Sequence, residues 1–183
     1  MKLEDYLEYF ESILKEPTKY PLYADEEYLH YTKMNWSRTS RWMKRFEPQH
    51  DMKNFVDAIT QKQTWIIITE PWCGDAAHSV PQIFKLIQGN ANITLDIQLR
   101  DDAPFLIENY LTDGGKSIPK LIIRDDKGED IAVWGPRPAK LQDLFLSWKA
   151  EDKPFEVIKE MMQKWYNEDK GIEIQAELKA LLS

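Results

Sequence analysis

Cys73 is the only cysteine in 183 residues, and it stands in the stretch Glu70-Pro71-Trp72-Cys73-Gly74-Asp75-Ala76. The β-branched run Ile66 to Thr69 has the composition of a strand buried on both faces, and Pro71 stops its ladder, so the strand should end near Glu70. From Asp75 onward the apolar positions Ala76, Ala77, Val80, Phe84 and Ile87 recur at three- and four-residue steps, which predicts a helix. Cys73 therefore falls at a strand-to-helix turn. There, free amides and the positive end of the helix dipole favour an anion, and the thiolate is the nucleophilic form of cysteine. The chemistry this position suits is that of a nucleophilic thiolate. Glu70 and Asp75 oppose a second negative charge beside them. The expectation is a weakly activated, partly exposed thiol titrating within about a unit of 8.5.

A dithiol cycle needs a second sulfur in the same turn to release the mixed disulfide. The position three residues on is Ala76, so a mixed disulfide at Cys73 would need an external resolving thiol. No bound cofactor is expected beyond such a partner, glutathione or another low-molecular-weight thiol. His78 follows Cys73 by five residues, about 500° around a helix, so the two side chains do not share a face. It reads as a polar surface histidine. With His30 and His50 far off in sequence, no close pair of metal ligands forms, and no metal site is expected. No phosphate-binding glycine loop or serine-hydrolase motif occurs either.

One other stretch is chemically unusual. Between Lys33 and Arg45 stand five basic residues and no acidic one, interleaved with Trp36, Trp42 and Met43, in a chain whose formal charge is -7. The ordinary reading is a solvated helix face whose tryptophans pack inward. The other is an anion or partner site.

The elements that must position these residues can be read from periodicity. Leu3, Tyr6, Leu7, Phe10, Ile13 and Leu14 predict an amphipathic helix ending before Pro17, and Asp25-Glu26-Glu27 opens a second running to about Phe46. Asp51 is expected to cap a short helix carrying Phe55, Val56 and Ile59. Ile93, Leu95, Ile97 and Leu99 alternate as a half-exposed strand does. Asp102 is expected to cap a helix through Phe105, Leu106 and Tyr110 that ends at Gly114-Gly115. Lys120 to Arg124 and Asp130 to Trp134 read as a hairpin. A helix from Pro138 or Ala139, bearing Leu141, Leu144, Phe145 and Trp148, should cover a face of the sheet. Two more follow, one with a stripe of Phe155, Ile158, Met161, Met162 and Trp165, the last with Ile174, Leu178, Leu181 and Leu182.

Composition sets outer bounds. A hydrophobic content of 43% supports a sizeable core, and a pI near 5.1 argues against nucleic acid as a partner. No apolar run approaches a membrane span, and Glu4, Asp5 and Glu8 are unlike a signal peptide, so the chain reads as cytoplasmic without a membrane partner. A single cysteine fits a reducing compartment.

Pro71-Trp72-Cys73-Gly74 after an apolar strand resembles the active-site turn of the thioredoxin family. Pro81, eight residues past the cysteine, matches the family's helix-kinking proline, and Ile118-Pro119, with Pro119 46 residues past it, matches the cis-proline that precedes the next strand. Gly114-Gly115-Lys116-Ser117 before it and Trp134-Gly135-Pro136-Arg137-Pro138 after it resemble a bacterial thioredoxin-like subfamily with a longer helical N-terminus. The departure is Ala76, where the family carries its second cysteine. The resemblance implies an α/β thioredoxin-like fold over residues 51–150, a mixed sheet flanked by helices. A helical extension over 1–50 and a helical tail over 151–183 would belong to the same unit. It implies Cys73 as nucleophile and a groove for protein or peptide thiols and disulfides shaped by Trp72, Gly74, Asp75, Ala76, Ile118 and a cis Pro119. Two functions remain open on this reading. One is a monothiol thiol-disulfide oxidoreductase; the other is a redox-inactive module that keeps the groove for binding. Arg137 is either an exposed anion contact or a helix-start charge.

Overall fold

The computed structural model describes residues 1–183. Four strands form one mixed sheet in the order β2-β1-β3-β4: β1 Gln63–Thr69, β2 Ile93–Leu99, β3 Lys120–Arg124 and β4 Asp130–Trp134. β1 and β2 run parallel, joined through helix α4 (Ala76–Ile87), whereas β1–β3 and β3–β4 are antiparallel. The two interior strands bury their apolar runs completely. Ile66 to Ile68 and Leu121 to Ile123 are all buried, as strands covered on both faces must be. Edge strand β4 instead exposes Ile131 and Val133.

The register between β1 and β3 places the site. Ile68 pairs with Lys120, so the chain leaving β1 through Pro71-Trp72-Cys73 lies beside the chain entering β3 through Ile118-Pro119. The Ile118–Pro119 bond is cis, as expected. Gly135, after β4, is held at φ +109, and a Cβ there would lie 2.3 Å from the Pro119 carbonyl oxygen, so glycine alone lets the β4 exit pack against the proline.

Helix α1 (Leu3–Lys15) buries Leu3, Tyr6, Phe10 and Ile13. α2 (Glu26–Arg45) is capped by Asp25, whose carboxylate accepts from the amides of Glu27 at 2.9 Å and Tyr28 at 3.1 Å. α2 packs along α4 and extends the main core through Trp42.

Several expectations fail for identifiable reasons. α3 (His50–Asp57) begins one residue before Asp51, which caps nothing and instead pairs with Lys179 at 2.8 Å; the Gln49 amide donates to the Gln175 side chain. Between Asp102 and Tyr110 only a 3-10 turn forms, Leu106–Asn109. Phe105 is left-handed at φ 56 and its amide closes a turn on the Asp102 carbonyl, so the backbone leaves helical geometry where the helix was to start.

The C-terminal third departs furthest. Helix α5 (Ala139–Ala150) was expected on the sheet, but Leu141 is its only buried residue and Leu144 is exposed. It pairs with α6 (Phe155–Asp169), where Leu141, Ile158, Met162 and Tyr166 make a separate small core. The buried stripe of α6 is therefore rotated from the expected one: Tyr166 is inside and Phe155 is exposed. A four-residue connection lets α5 and α6 satisfy each other locally as a helical hairpin. α7 (Ile172–Leu182) sends Ile174 and Leu178 into the main core and packs on α3 and β4.

Candidate functional site

The amide of Cys73 donates to the Glu70 carbonyl, which closes the turn, and α4 begins at Ala76. The sulfur faces across to the β3 entry, where it donates to the Ile118 carbonyl oxygen at 3.3 Å. Cys73 is 6% exposed, against the expectation of a partly accessible thiol. Burial, followed by the charge of Asp75, pushes this thiol up to about 12. The amides of Ala76 and Asp75 and the guanidinium of Arg137 pull the other way and lose. Weak activation was expected; suppression is found, because the turn is covered.

The cover is α6. Its Gln163 Nε2 lies 3.5 Å from where a Cβ on Gly74 would stand, and its Tyr166 hydroxyl donates to Asp75 Oδ1 at 2.6 Å. The other carboxylate oxygen of Asp75 accepts two bonds from Arg137, 2.7 Å from Nη2 and 3.1 Å from Nε. Arg137 is thus neither an exposed anion contact nor a helix-start charge: its side chain is 13% exposed, tied to Asp75 and stacked over Phe145 of α5.

His78 is fully buried, contrary to its reading as a surface residue. Its offset from Cys73 turns it away from the sulfur and into the seam between α2 and α6. The indole N–H of Trp42 donates to Nδ1 at 2.8 Å, which fixes the proton on Nε2, and that nitrogen donates to Gln163 Oε1 at 2.6 Å. The ring stacks on Tyr166 at 4.2 Å. Burial is the main reason its pKa falls to about 3, so this imidazole is neutral. It pins the roof and has no contact with the sulfur in this geometry.

Between the turn, α2 and α6 lies a chamber of about 830 Å³. Trp72, Cys73, Gly74, Asp75 and Ile118 line it, whereas Ala76 and Pro119 are buried behind it. Trp72, expected as an exposed lip, is partly covered: the guanidinium of Arg100 stands 4.7 Å above its ring and Tyr28 meets it edge-on. The Ile118 amide has no acceptor within the protein. Sequence reasoning missed Tyr28, Arg100, Gln163 and Tyr166. Nothing in the sequence pattern singles them out, since Gln163 is one of several polar residues between the apolar positions of α6.

The family model described as Thioredoxin matches residues 22–153. The chain belongs to the thioredoxin family. The matched thioredoxin segment already includes all of α2 and stops before α6, so the helix that packs on Gly74 and Asp75 lies beyond it. Among solved structures the chain resembles a Pseudomonas aeruginosa protein of unknown function, at 14% identity and TM-score 0.57 over 81% of this chain and 84% of that one. It also resembles an HIV epitope scaffold, at 13% identity and TM-score 0.56 over 84% and 90%. At such identity these likenesses speak for the thioredoxin-like fold alone. No curated protein matches the chain. No helix is long and apolar enough to cross a membrane.

Proposed function

We propose that this protein is a thioredoxin-fold binding module that encloses a short, extended, peptide-like ligand in the chamber between α2, α6 and the Cys73 turn. The observation that carries the reading is the state of the sulfur: buried, bonded to the Ile118 carbonyl and suppressed as a nucleophile. Ala76 leaves it without a resolving partner. The groove's recognition element survives, because the free Ile118 amide can donate to a ligand backbone as an added strand would use it. The chamber volume is that of a small-ligand site, and its aromatic walls suit side-chain contacts.

A second reading keeps monothiol exchange. It is favoured by the direction of the sulfur, which faces the residue before the cis-proline, where a disulfide substrate would lie. In that cycle the Cys73 thiolate attacks a substrate disulfide, one substrate thiolate leaves, and an external low-molecular-weight thiol breaks the mixed disulfide. The sulfur would first have to give up its bond to the Ile118 carbonyl.

Two measurements on the native protein separate these readings. With an aromatic disulfide reagent at neutral pH, the binding reading expects no thiolate release until denaturant is added. In amide NMR, a capped tripeptide such as acetyl-Ala-Phe-Ala-amide should shift the Ile118 and Gly74 resonances. Stoichiometric release from the native protein within minutes, with unmoved resonances, overturns the binding reading in favour of exchange.

A further inference from the structure

Resting on the binding reading, we infer that Arg38 is an anion subsite of the chamber and that the ligand carries a carboxylate or phosphate group to meet it. Arg38 lies on α2, lines the chamber and is only partly exposed. Of the five N–H donors of its guanidinium, one bond to a protein acceptor is formed, Nη1 to Asn35 Oδ1 at 2.8 Å. No carboxylate lies within ion-pairing distance.

Among the basic residues that line the chamber, that isolation is specific to Arg38. Every other lysine or arginine lining the chamber has an acidic partner: Arg100 with Asp101 at 2.6 Å, Lys116 with Glu108 at 3.0 Å, Arg137 with Asp75 at 2.7 Å and Lys159 with Glu156 at 2.6 Å. The remaining acidic residues of the lining, Glu27 and Glu160, are exposed and pair with no base. His30 is exposed as well.

The same holds along the helix. None of Lys33, Arg38, Arg41, Lys44 and Arg45 forms an ion pair, although the chain carries a net charge of -7. Arg41, one turn from Arg38, again bonds a neutral amide, Asn167 Oδ1 at 2.7 Å, and stands over the Trp42 ring. Two guanidiniums a turn apart repel each other, and removing one from water without a counter-ion is costly. A ligand oxyanion offsets both effects, and a guanidinium fork suits an oxyanion better than an ammonium does.

Arg38 is also held in place before any ligand arrives. Asn35 is buried, and its Nδ2 donates to the Pro71 carbonyl at 3.1 Å, so the chain of bonds Arg38–Asn35–Pro71 ties the cation to the turn that carries Cys73. Such preorganisation lowers the ordering cost of binding. The basic run of α2, read from sequence as a solvated face or an anion site, thus divides: Lys33, Lys44 and Arg45 are exposed, and Arg38 faces the chamber.

The test compares acetyl-Ala-Phe-Ala as its free acid, the same peptide as its amide, and phenyl phosphate, each titrated by amide NMR into the wild type, Arg38→Gln and Lys44→Gln. The expected result is that at least one anion binds the wild type about tenfold or more tighter than the amide does. Arg38→Gln should bring anion and amide binding to within about twofold of each other, and Lys44→Gln should keep the wild-type preference. Whichever anion gains more identifies a carboxylate or a phosphate as the natural group. If acid, amide and phenyl phosphate bind alike, or if Arg38→Gln keeps the anion preference, the subsite is overturned while the binding reading stands. If no probe shifts Ile118 or Gly74, the binding reading itself fails and takes the subsite with it.

Discussion

The suppressed sulfur gives the sharpest quantitative expectation, which is its alkylation by iodoacetamide in the native protein. A thiol pushed up to about 12 is ionised to only about 3 parts in 100,000 at pH 7.5, against roughly 9% for a free thiol near 8.5. That ratio alone slows reaction by about 3,000-fold. A more basic thiolate is intrinsically more nucleophilic, with a Brønsted slope near 0.4–0.5, which returns about 40-fold. The net expectation is alkylation about 70-fold slower than free cysteine, before any obstruction by α6 is counted. The rate should keep rising with pH and reach no plateau while the fold persists below about pH 11. Intact-mass spectrometry over time, from pH 6 to 11, measures it. A plateau below pH 9 would refute the reasoning, since it would mean that the Ala76 and Asp75 amides and Arg137 outweigh burial and the Asp75 charge. Asp75→Asn separates the two causes: it removes the charge and keeps the burial, so the thiol should fall part of the way and alkylate faster. The same change leaves Arg137 buried without its partner, and a loss of about 3–5 kcal/mol in urea denaturation should accompany it.

Three other outcomes can be stated briefly. Ala76→Cys should close a disulfide with Cys73 on mild oxidation, because the positions lie one helical turn apart, yet insulin reduction should stay low while α6 covers the turn; rapid reduction by this variant would show that the roof is no obstacle. Glu70 is raised to about 7, chiefly by burial, so its charged form is disfavoured in the fold; the penalty is absent below about pH 4.5 and complete above about pH 7. Glu70→Gln should therefore stabilise by up to about 3 kcal/mol at pH 8 and by nothing at pH 4, and an equal effect at both values in urea denaturation would contradict this. Gly135→Ala should cost about 2–4 kcal/mol in the same assay, since its Cβ would meet the Pro119 carbonyl and its φ is positive; a neutral result would mean that the loop is freely adjustable.

Much of this architecture was legible because it is local. A β-branched run, an alternating run and a hairpin turn locate the four strands, period-3.6 patterns locate α1, α2, α4, α6 and α7 closely, and Pro71-Trp72-Cys73-Gly74 with Ile118-Pro119 marks the site. The errors lie where a residue's partner is remote in sequence. His78 looks polar and therefore exposed, but Trp42, 36 residues before it, and Gln163, 85 residues after it, satisfy both ring nitrogens and let it be buried. Asp51 has the chemistry of a cap, but its partner is Lys179 of α7. α5 carries enough leucine and aromatic residues to cover a sheet, and nothing in its own pattern distinguishes a sheet from the neighbouring α6 as the surface it meets. Exposure of Cys73 was the most consequential of these misjudgements, because its burial depends on the main core and on Ile118, partners remote in sequence.

The closure over the sulfur and the absence of a second cysteine are two sides of one arrangement. A dithiol site must expose its first sulfur to a substrate and release product from it, so the groups around the turn have to be free of other commitments. Here they are committed. Both oxygens of Asp75 are occupied, one by Tyr166 of α6 and one by Arg137, while His78 holds α6 through Gln163 and stacks on Tyr166. Lifting α6 would break the Tyr166–Asp75 and His78–Gln163 bonds together and unstack Tyr166 from His78, while Arg137, which is not on α6, would stay paired with Asp75. What the arrangement retains is a shaped space with one unused backbone donor at Ile118 and one unpaired guanidinium at Arg38, and both are groups that recognise a ligand without forming a covalent bond to it.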